Sequence, residues 1–283
     1  TSTNSSIGLI YALKKIFKAT IYIDKKYTMK KKRILTSSSY TSKNEIAQRQ
    51  LFEKLFNGWP GPNEHKNKNL GIFTNRINLM RILFMNELYS KTLNITGDVF
   101  EFGCRWGQNL CLFLNFRGIY EPYNMQKKIV GFDTFKGFPS ISLNEKKGNK
   151  KLSKLGGFST TLGYENYLKK ILDYHSTESP ASHIKRHEIV KGDASKSIKK
   201  YLKENQQTMI ALAYFDMDIY KPTKDCLKAI KPHLTKGSII AFDEPNSEDF
   251  PGETIAIREV FGSIKFKLFQ SKYSAGSGYM IID

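Results

Sequence analysis

Acidic residues, cysteines and long apolar runs are all scarce in this sequence, and each shortage narrows what the chain can be. Only 26 Asp and Glu stand against 45 Lys and Arg, a formal net charge of +19. Such an excess suits an anionic partner, whether nucleic acid, a membrane surface or a phosphorylated small molecule, without choosing among them. Cys104, Cys111 and Cys226 show no C-x-x-C spacing and the five histidines are scattered, so reduced thiols and no structural zinc are expected. No apolar stretch approaches the roughly 18 residues of a membrane span. The early segment SSIGLIYALKKIF sets lysines inside its apolar run, where a secretory signal would keep a clean core. A cytoplasmic protein is expected, and no internal repeat is visible.

What is present is a chain of 283 residues with 40% hydrophobic content, enough for one large domain and an added lobe. Residues 1–70 carry an amphipathic segment (Ile7, Ile10, Tyr11, Ile16, Phe17), a basic run KKYTMKKKR and the turn-rich NGWPGPNEHKNKN. They are expected to form a helical arm or cap through which copies of the chain associate. Residues 71–283 are expected to be the main domain. From Thr74, Ile77, Met80, Arg81, Phe84 and Leu88 recur at three and four residues, which predicts a helix capped by Thr or Asn and ending near Leu93.

Short apolar, β-rich stretches then alternate with helical patterns: DVFEFG (98–103), KIVGFD (128–133), HEIVKGD (187–193), MIALAYFD (209–216) and SIIAFDE (238–244). Alternation of this kind predicts an α/β fold with a mostly parallel sheet covered on both faces. After a helix near 254–261, KFKLFQS and GYMIID are joined too tightly for a crossover helix and should form an antiparallel hairpin. The polar, Lys- and Gly-rich segment 138–162 is long for a loop and is expected to act as a lid over the site. Of His175, His183 and His187 one is a candidate base, with surface positions the expected reading.

Ligands of open parallel sheets lie beyond the carboxyl ends of the strands. The first such end, EFGCRWG, offers Glu101, Gly103 and Gly107, a tight turn followed by a helix start with free N–H groups. It is not G-x-G-x-x-G, which argues against a nicotinamide cofactor. The second ends in Asp133, the usual place of an acid that accepts hydrogen bonds from ribose hydroxyls. At the third end, KGDAS, Asp193 with Ala194 beside it is placed to meet the exocyclic amine of a base. In this order the three describe an adenosine site. The fourth stretch runs into Asp216 and Asp218, and carboxylates at a buried strand end cost several kcal/mol unless a cation or hydrogen bonds compensate them. If the fourth and fifth strands are neighbours, about 5 Å apart, Asp216, Asp243 and Glu244 converge on one ion. Hard carboxylate oxygens without histidine or thiolate favour Mg²⁺ or Mn²⁺.

The succession of acid-glycine loop, ribose acid, base-binding Asp, Asp-terminated fourth strand and final hairpin resembles the class I S-adenosylmethionine-dependent methyltransferases. Within them, FDMDIYKPTKDCLKAIKPHLTKGSIIAFDE is similar to the macrocin O-methyltransferase family, metal-dependent enzymes that methylate sugar hydroxyls. Asp216, Asp218, Tyr220, Gly237, Asp243 and Glu244 carry the likeness. The chain departs from that pattern with Asp243-Glu244 in place of two aspartates, and with Arg105-Trp106-Gly107-Gln108 in place of Trp-Arg-Gly-Gly. The resemblance implies a Rossmann-like sheet, S-adenosylmethionine as methyl donor and a sugar or nucleotide-sugar acceptor. It also implies Asp216 as both metal ligand and proton acceptor. Asp218 is either a substrate contact or a helix-start acid, and Tyr220 either lines the substrate pocket or packs. A catechol-like diol is the alternative acceptor. A nucleic-acid acceptor is not expected, because the fourth strand lacks an Asn- or Asp-Pro-Pro-aromatic loop and no RNA-binding motif is appended.

Overall fold

The structure is a computed structural model that describes residues 42–144, 153–262 and 265–283. The amphipathic segment and basic run of the expected arm, and the middle of the expected lid, lie outside the described residues. Residues 44–283 form one compact unit. It begins with helices α1 (Lys43–Asn57) and α2 (Asn63–Lys68), the second lying inside the stretch read as turns. The rings of Phe52, Phe56 and Trp59 gather on Phe73 at centroid distances of 6.3, 5.1 and 5.8 Å. Helix α3 (Arg76–Lys91) follows the predicted period. Its cap is Asn75, whose side chain accepts a hydrogen bond from the Asn78 N–H at 2.9 Å, and it buries Phe84, Met85, Leu88 and Tyr89.

Seven strands make one sheet: β1 (Asp98–Phe102), β2 (Ile129–Asp133), β3 (His187–Lys191), β4 (Ile210–Phe215), β5 (Leu234–Phe242), β6 (Phe269–Gln270) and β7 (Gly278–Ile281). Their order is β3-β2-β1-β4-β5-β7-β6. The first five are parallel, and β7 runs antiparallel to both β5 and β6. The mostly parallel sheet and the terminal hairpin are therefore as expected from the sequence. Strand β6 is much shorter than KFKLFQS suggested: only Phe269 and Gln270 pair, with Tyr279 and Gly278. It is one of the two edges of the sheet, the other being β3, and an edge strand that stops early offers little to pair with another chain.

Helices α4 (Gln108–Tyr120), α5 (Tyr164–Thr177), α6 (Ala194–Glu204), α7 (Tyr220–Ile230) and α8 (Pro251–Phe261) complete the layers. On one face Phe102 stacks on Phe132 and Phe215, with centroids 5.0 and 4.7 Å away, beneath α6, α7 and α8. On the other, Val99, Leu212, Tyr214 and Ile239 pack under α3, α4 and α5. Burial on both faces explains why these strands read as nearly continuous apolar runs. His187 is a correction: it is buried, with Nδ1 2.8 Å from Ser176 Oγ and Nε2 3.0 Å from Asp173 Oδ1, and it ties α5 to the edge strand β3.

The parallel ladder continues one residue past four strands. Gly192 N–H donates to Asp133 O (2.8 Å), Gly103 to Phe132 O (2.9 Å), Asp216 to Phe102 O (2.8 Å) and Asp243 to Phe215 O (3.0 Å). These bonds draw the strand-end residues into one row along the carboxyl edge. Gly103 has φ 91°, and a Cβ there would lie 2.0 Å from the Asp216 carbonyl oxygen. Gly103→Ala combines backbone strain with that overlap, and its expected cost is about 2 kcal/mol or more. Urea unfolding measures it; an unchanged midpoint would refute the close contact.

Candidate active site

One half of the carboxyl edge is built from backbone turns and caps. Glu101 is buried and accepts a hydrogen bond from Asn109 Nδ2 at 2.9 Å; burial pushes its pKa up to about 8. Gly107, left-handed at φ 77°, caps α4, and its N–H donates to Cys104 O at 2.7 Å. Asp133 binds the first loop to the second strand end: Oδ2 accepts from Arg105 N–H at 2.7 Å and Oδ1 from Phe135 N–H at 2.5 Å. Asp193 caps α6, with Oδ1 accepting from the N–H and hydroxyl of Ser195 at 3.0 and 2.7 Å. Ala194 begins that helix with its side chain in the core. The six residues expected to hold a cofactor thus lie on one edge, two of the acids already engaged by backbone.

The other half is acidic. Asp216 and Asp243 follow the neighbouring strands β4 and β5, and a guanidinium from α3 reaches both. Arg81 Nη1 lies 2.8 Å from Asp243 Oδ1 and Nη2 3.2 Å from Asp243 Oδ2, a two-pronged contact, while Nη1 is 3.7 Å from Asp216 Oδ2. Buried Tyr214 joins them: it accepts from Arg81 Nη1 at 2.9 Å and donates to Asp243 Oδ1 at 2.6 Å. Asp218 lies elsewhere on the edge. Its φ is 62°, and the Ile219 N–H bonds Met217 O at 2.7 Å, which makes Asp218 the centre of a three-residue turn. Helix α7 begins at Tyr220 with Ile219 as its cap and no side-chain cap bond, so Asp218 is not that helix's cap.

Burial first, and then neighbouring acids, raise the pKa of Asp216 (Asp243 and Asp218), Asp218 (Glu244 and Asp243) and Glu244 (Asp243). A fifth carboxylate, Glu253 of α8, is raised by burial and by Asp218 and Asp243. Among the described residues no three His, Cys, Asp or Glu side chains close around one point as they stand. The donor chemistry nevertheless fits a hard divalent cation. All five groups are carboxylates, Arg81 alone among the described residues makes an ion pair with any of them, and Glu253 Oε1 is buried without a partner.

No protein-family profile matches this chain, and no curated protein does. Solved structures do. CalS11, a calicheamicin methyltransferase, is 41% identical with a TM-score of 0.82, over 86% of this chain and 94% of that one. A ligand-free CalS11 structure, described as a TDP-rhamnose 3'-O-methyltransferase of calicheamicin biosynthesis, is 39% identical with a TM-score of 0.75, over 86% and 96%. The chain belongs to the class I S-adenosylmethionine-dependent O-methyltransferases, in the macrocin-like group. The O-methyltransferase NovP shares the fold at 16% identity and a TM-score of 0.57, over 74% and 82%.

Three residues that meet the strand-end acids were not singled out as site candidates from the sequence. Arg81 had a signal, since it is a charge on the apolar stripe of α3. Tyr214 had none, being one ring in an apolar run, and Glu253 looks like an ordinary first-turn acid. The Tyr220 hydroxyl donates to Glu259 Oε2 at 2.7 Å and accepts from Lys224 Nζ at 2.8 Å.

Two outcomes are expected. Arg81→Met leaves Asp243 and Tyr214 without their cation and should lower stability by about 1–3 kcal/mol, read from urea midpoints; Arg81→Met as stable as the parent would dismiss the contact. The raised pKa of Glu101 has a definite sign. The folded chain keeps that proton to about pH 8 while the unfolded chain loses it near 4.5, so stability falls as pH rises through that window. Glu101→Gln should remove that part of the slope, gaining about 2–4 kcal/mol on the parent between pH 5 and 8.5. Parallel stability curves for the two proteins would disprove it.

Proposed function

We propose that this methyltransferase moves the methyl group of S-adenosylmethionine to a hydroxyl of a nucleotide-linked sugar, with Mg²⁺ or Mn²⁺ at the acid centre, in the cytoplasm. The observation that carries the reading is 41% identity to CalS11 across 94% of that chain. The ligand-free CalS11 structure is described as a TDP-rhamnose 3'-O-methyltransferase. A divalent cation, when bound, lowers the pKa of an acceptor hydroxyl and fixes it for attack.

The remaining work falls to the chain's own residues. The Gly103 turn and the N–H groups at the start of α4 receive the methionine part, Glu101 lying beneath them. Asp133 takes the ribose, and Asp193 with Ala194 the base. Asp216 accepts the hydroxyl proton, its basicity raised by burial and by Asp243 and Asp218, and Arg81 orients it. Metal ligation falls to Asp216, Asp243 and Glu244, and Asp218 and Tyr220 flank the sugar. Arg105, exposed on the first loop with its guanidinium 4.9 Å over the Phe158 ring, suits a diphosphate. A nucleic-acid acceptor is no part of this reading. Association of copies through the N-terminal helices is, since α1 buries no residue and leaves Leu51 and Leu55 exposed.

A catechol-like acceptor is the second reading, because the Trp106 and Tyr164 rings lie 4.8 Å apart beside the same edge. Labelled S-adenosylmethionine offered with nucleotide sugars and with catechols, with and without chelator, decides between them. Transfer to a nucleotide sugar, lost on chelation and restored by Mg²⁺, is expected, with kcat reduced about 10²- to 10⁴-fold in Asp216→Asn. Transfer to catechols alone would overturn the sugar, and transfer indifferent to chelator would remove the cation. A kcat loss in Asp218→Asn with Asp216→Asn spared would move the proton acceptor to Asp218.

A further inference from the structure

Glu253 lies outside the Asp-x-Asp and paired-acid pattern by which the acid centre is recognised. It occupies the first turn of α8, where Pro251 sets the helix start. A glutamate there ordinarily faces solvent and offsets the free N–H groups of the helix end. Glu253 does otherwise: it is 2% exposed, turned inward, with one carboxylate oxygen accepting from the Glu244 N–H at 3.2 Å and Oε1 enclosed without any partner.

Among the described residues the charges that act on it most strongly are of its own sign, namely Asp218, Asp243 and Glu244. Arg81 meets Asp243 and Asp216, and among the described residues no cation forms an ion pair with Glu253, Asp218 or Glu244. Burial of a carboxylate among like charges is unfavourable unless a positive charge comes with it. The feature to be explained is a buried carboxyl oxygen that no described group meets. An unpartnered oxygen aimed among carboxylates is the donor that a hard cation takes.

We infer that Glu253 is a carboxylate of the divalent-cation centre, serving the side of Asp218 and Glu244 while Arg81 serves that of Asp243 and Asp216. The inference rests on the cation in the proposed function. Its test needs no turnover: Mn²⁺ binding to the purified full chain, without methyl donor or acceptor, followed by titration calorimetry and by the paramagnetic resonance of free Mn²⁺. Glu253→Gln is expected to weaken Mn²⁺ binding at least tenfold. In excess chelator its melting temperature should equal or exceed the parent's, because a buried like charge has gone, and S-adenosylhomocysteine binding should be unchanged. Glu253→Asp, which keeps the charge, should retain measurable Mn²⁺ binding and covers the case in which the glutamine variant does not fold.

Mn²⁺ bound by Glu253→Gln as tightly as by the parent, or bound equally by parent and aspartate variant with a melting temperature lowered in chelator, would overturn the inference and make Glu253 structural. In that case loss of binding in Asp216→Asn would leave the cation reading standing. A parent chain that takes up no Mn²⁺ would remove both.

Discussion

The contact of Arg81 with Asp243 is the constraint on which the acidic half of the site depends. Neighbouring parallel strands bring their ends to about 5 Å, so the carboxylates after β4 and β5 are forced together by the sheet itself. Their mutual repulsion is relieved by a guanidinium from a helix that precedes the sheet in the chain. Arg81 grips Asp243 with both nitrogens and reaches Tyr214, whose own hydroxyl completes a closed triangle. That triangle also docks α3 against the sheet, joining the first part of the main domain to the last.

The two halves of the edge rest on different physics. The half expected to hold the cofactor is made of backbone: glycine turns, helix starts and acids bonded to N–H groups. Such groups, the buried Glu101 apart, depend weakly on solution conditions. The acidic half is made of charge that burial has made costly, and among the described residues Arg81 is the cation that pairs with it. Methyl transfer to a hydroxyl asks for this division, because the sulfonium donor must be held still while the hydroxyl must be made reactive.

Much of the fold could be read from the chain because the central strands are covered on both faces, and double burial writes itself as short runs such as IALAYF. The edge strand β6 could not, since its residues pair only where Phe269 and Gln270 meet β7. Strand-end acids and glycines were found because each directly follows a short apolar run, although the sheet takes those strands in the order β3-β2-β1-β4-β5. Contacts between distant segments left weaker traces. His187 reads as polar surface until α5 brings Ser176 and Asp173 to it, and the left-handed turn at Asp218 has no mark in FDMDIY. Arg81 was visible only as a charge out of place on an apolar stripe.

The bare α-carbon of Gly103 sits directly on the carbonyl of Asp216. Nothing compressible lies between the loop after β1 and the backbone of Asp216. A side chain would act as a cushion there, absorbing small shifts of one element before they reached the other. Without it, the two behave as a single mechanical part, and a shift imposed on the loop reaches Asp216 undamped.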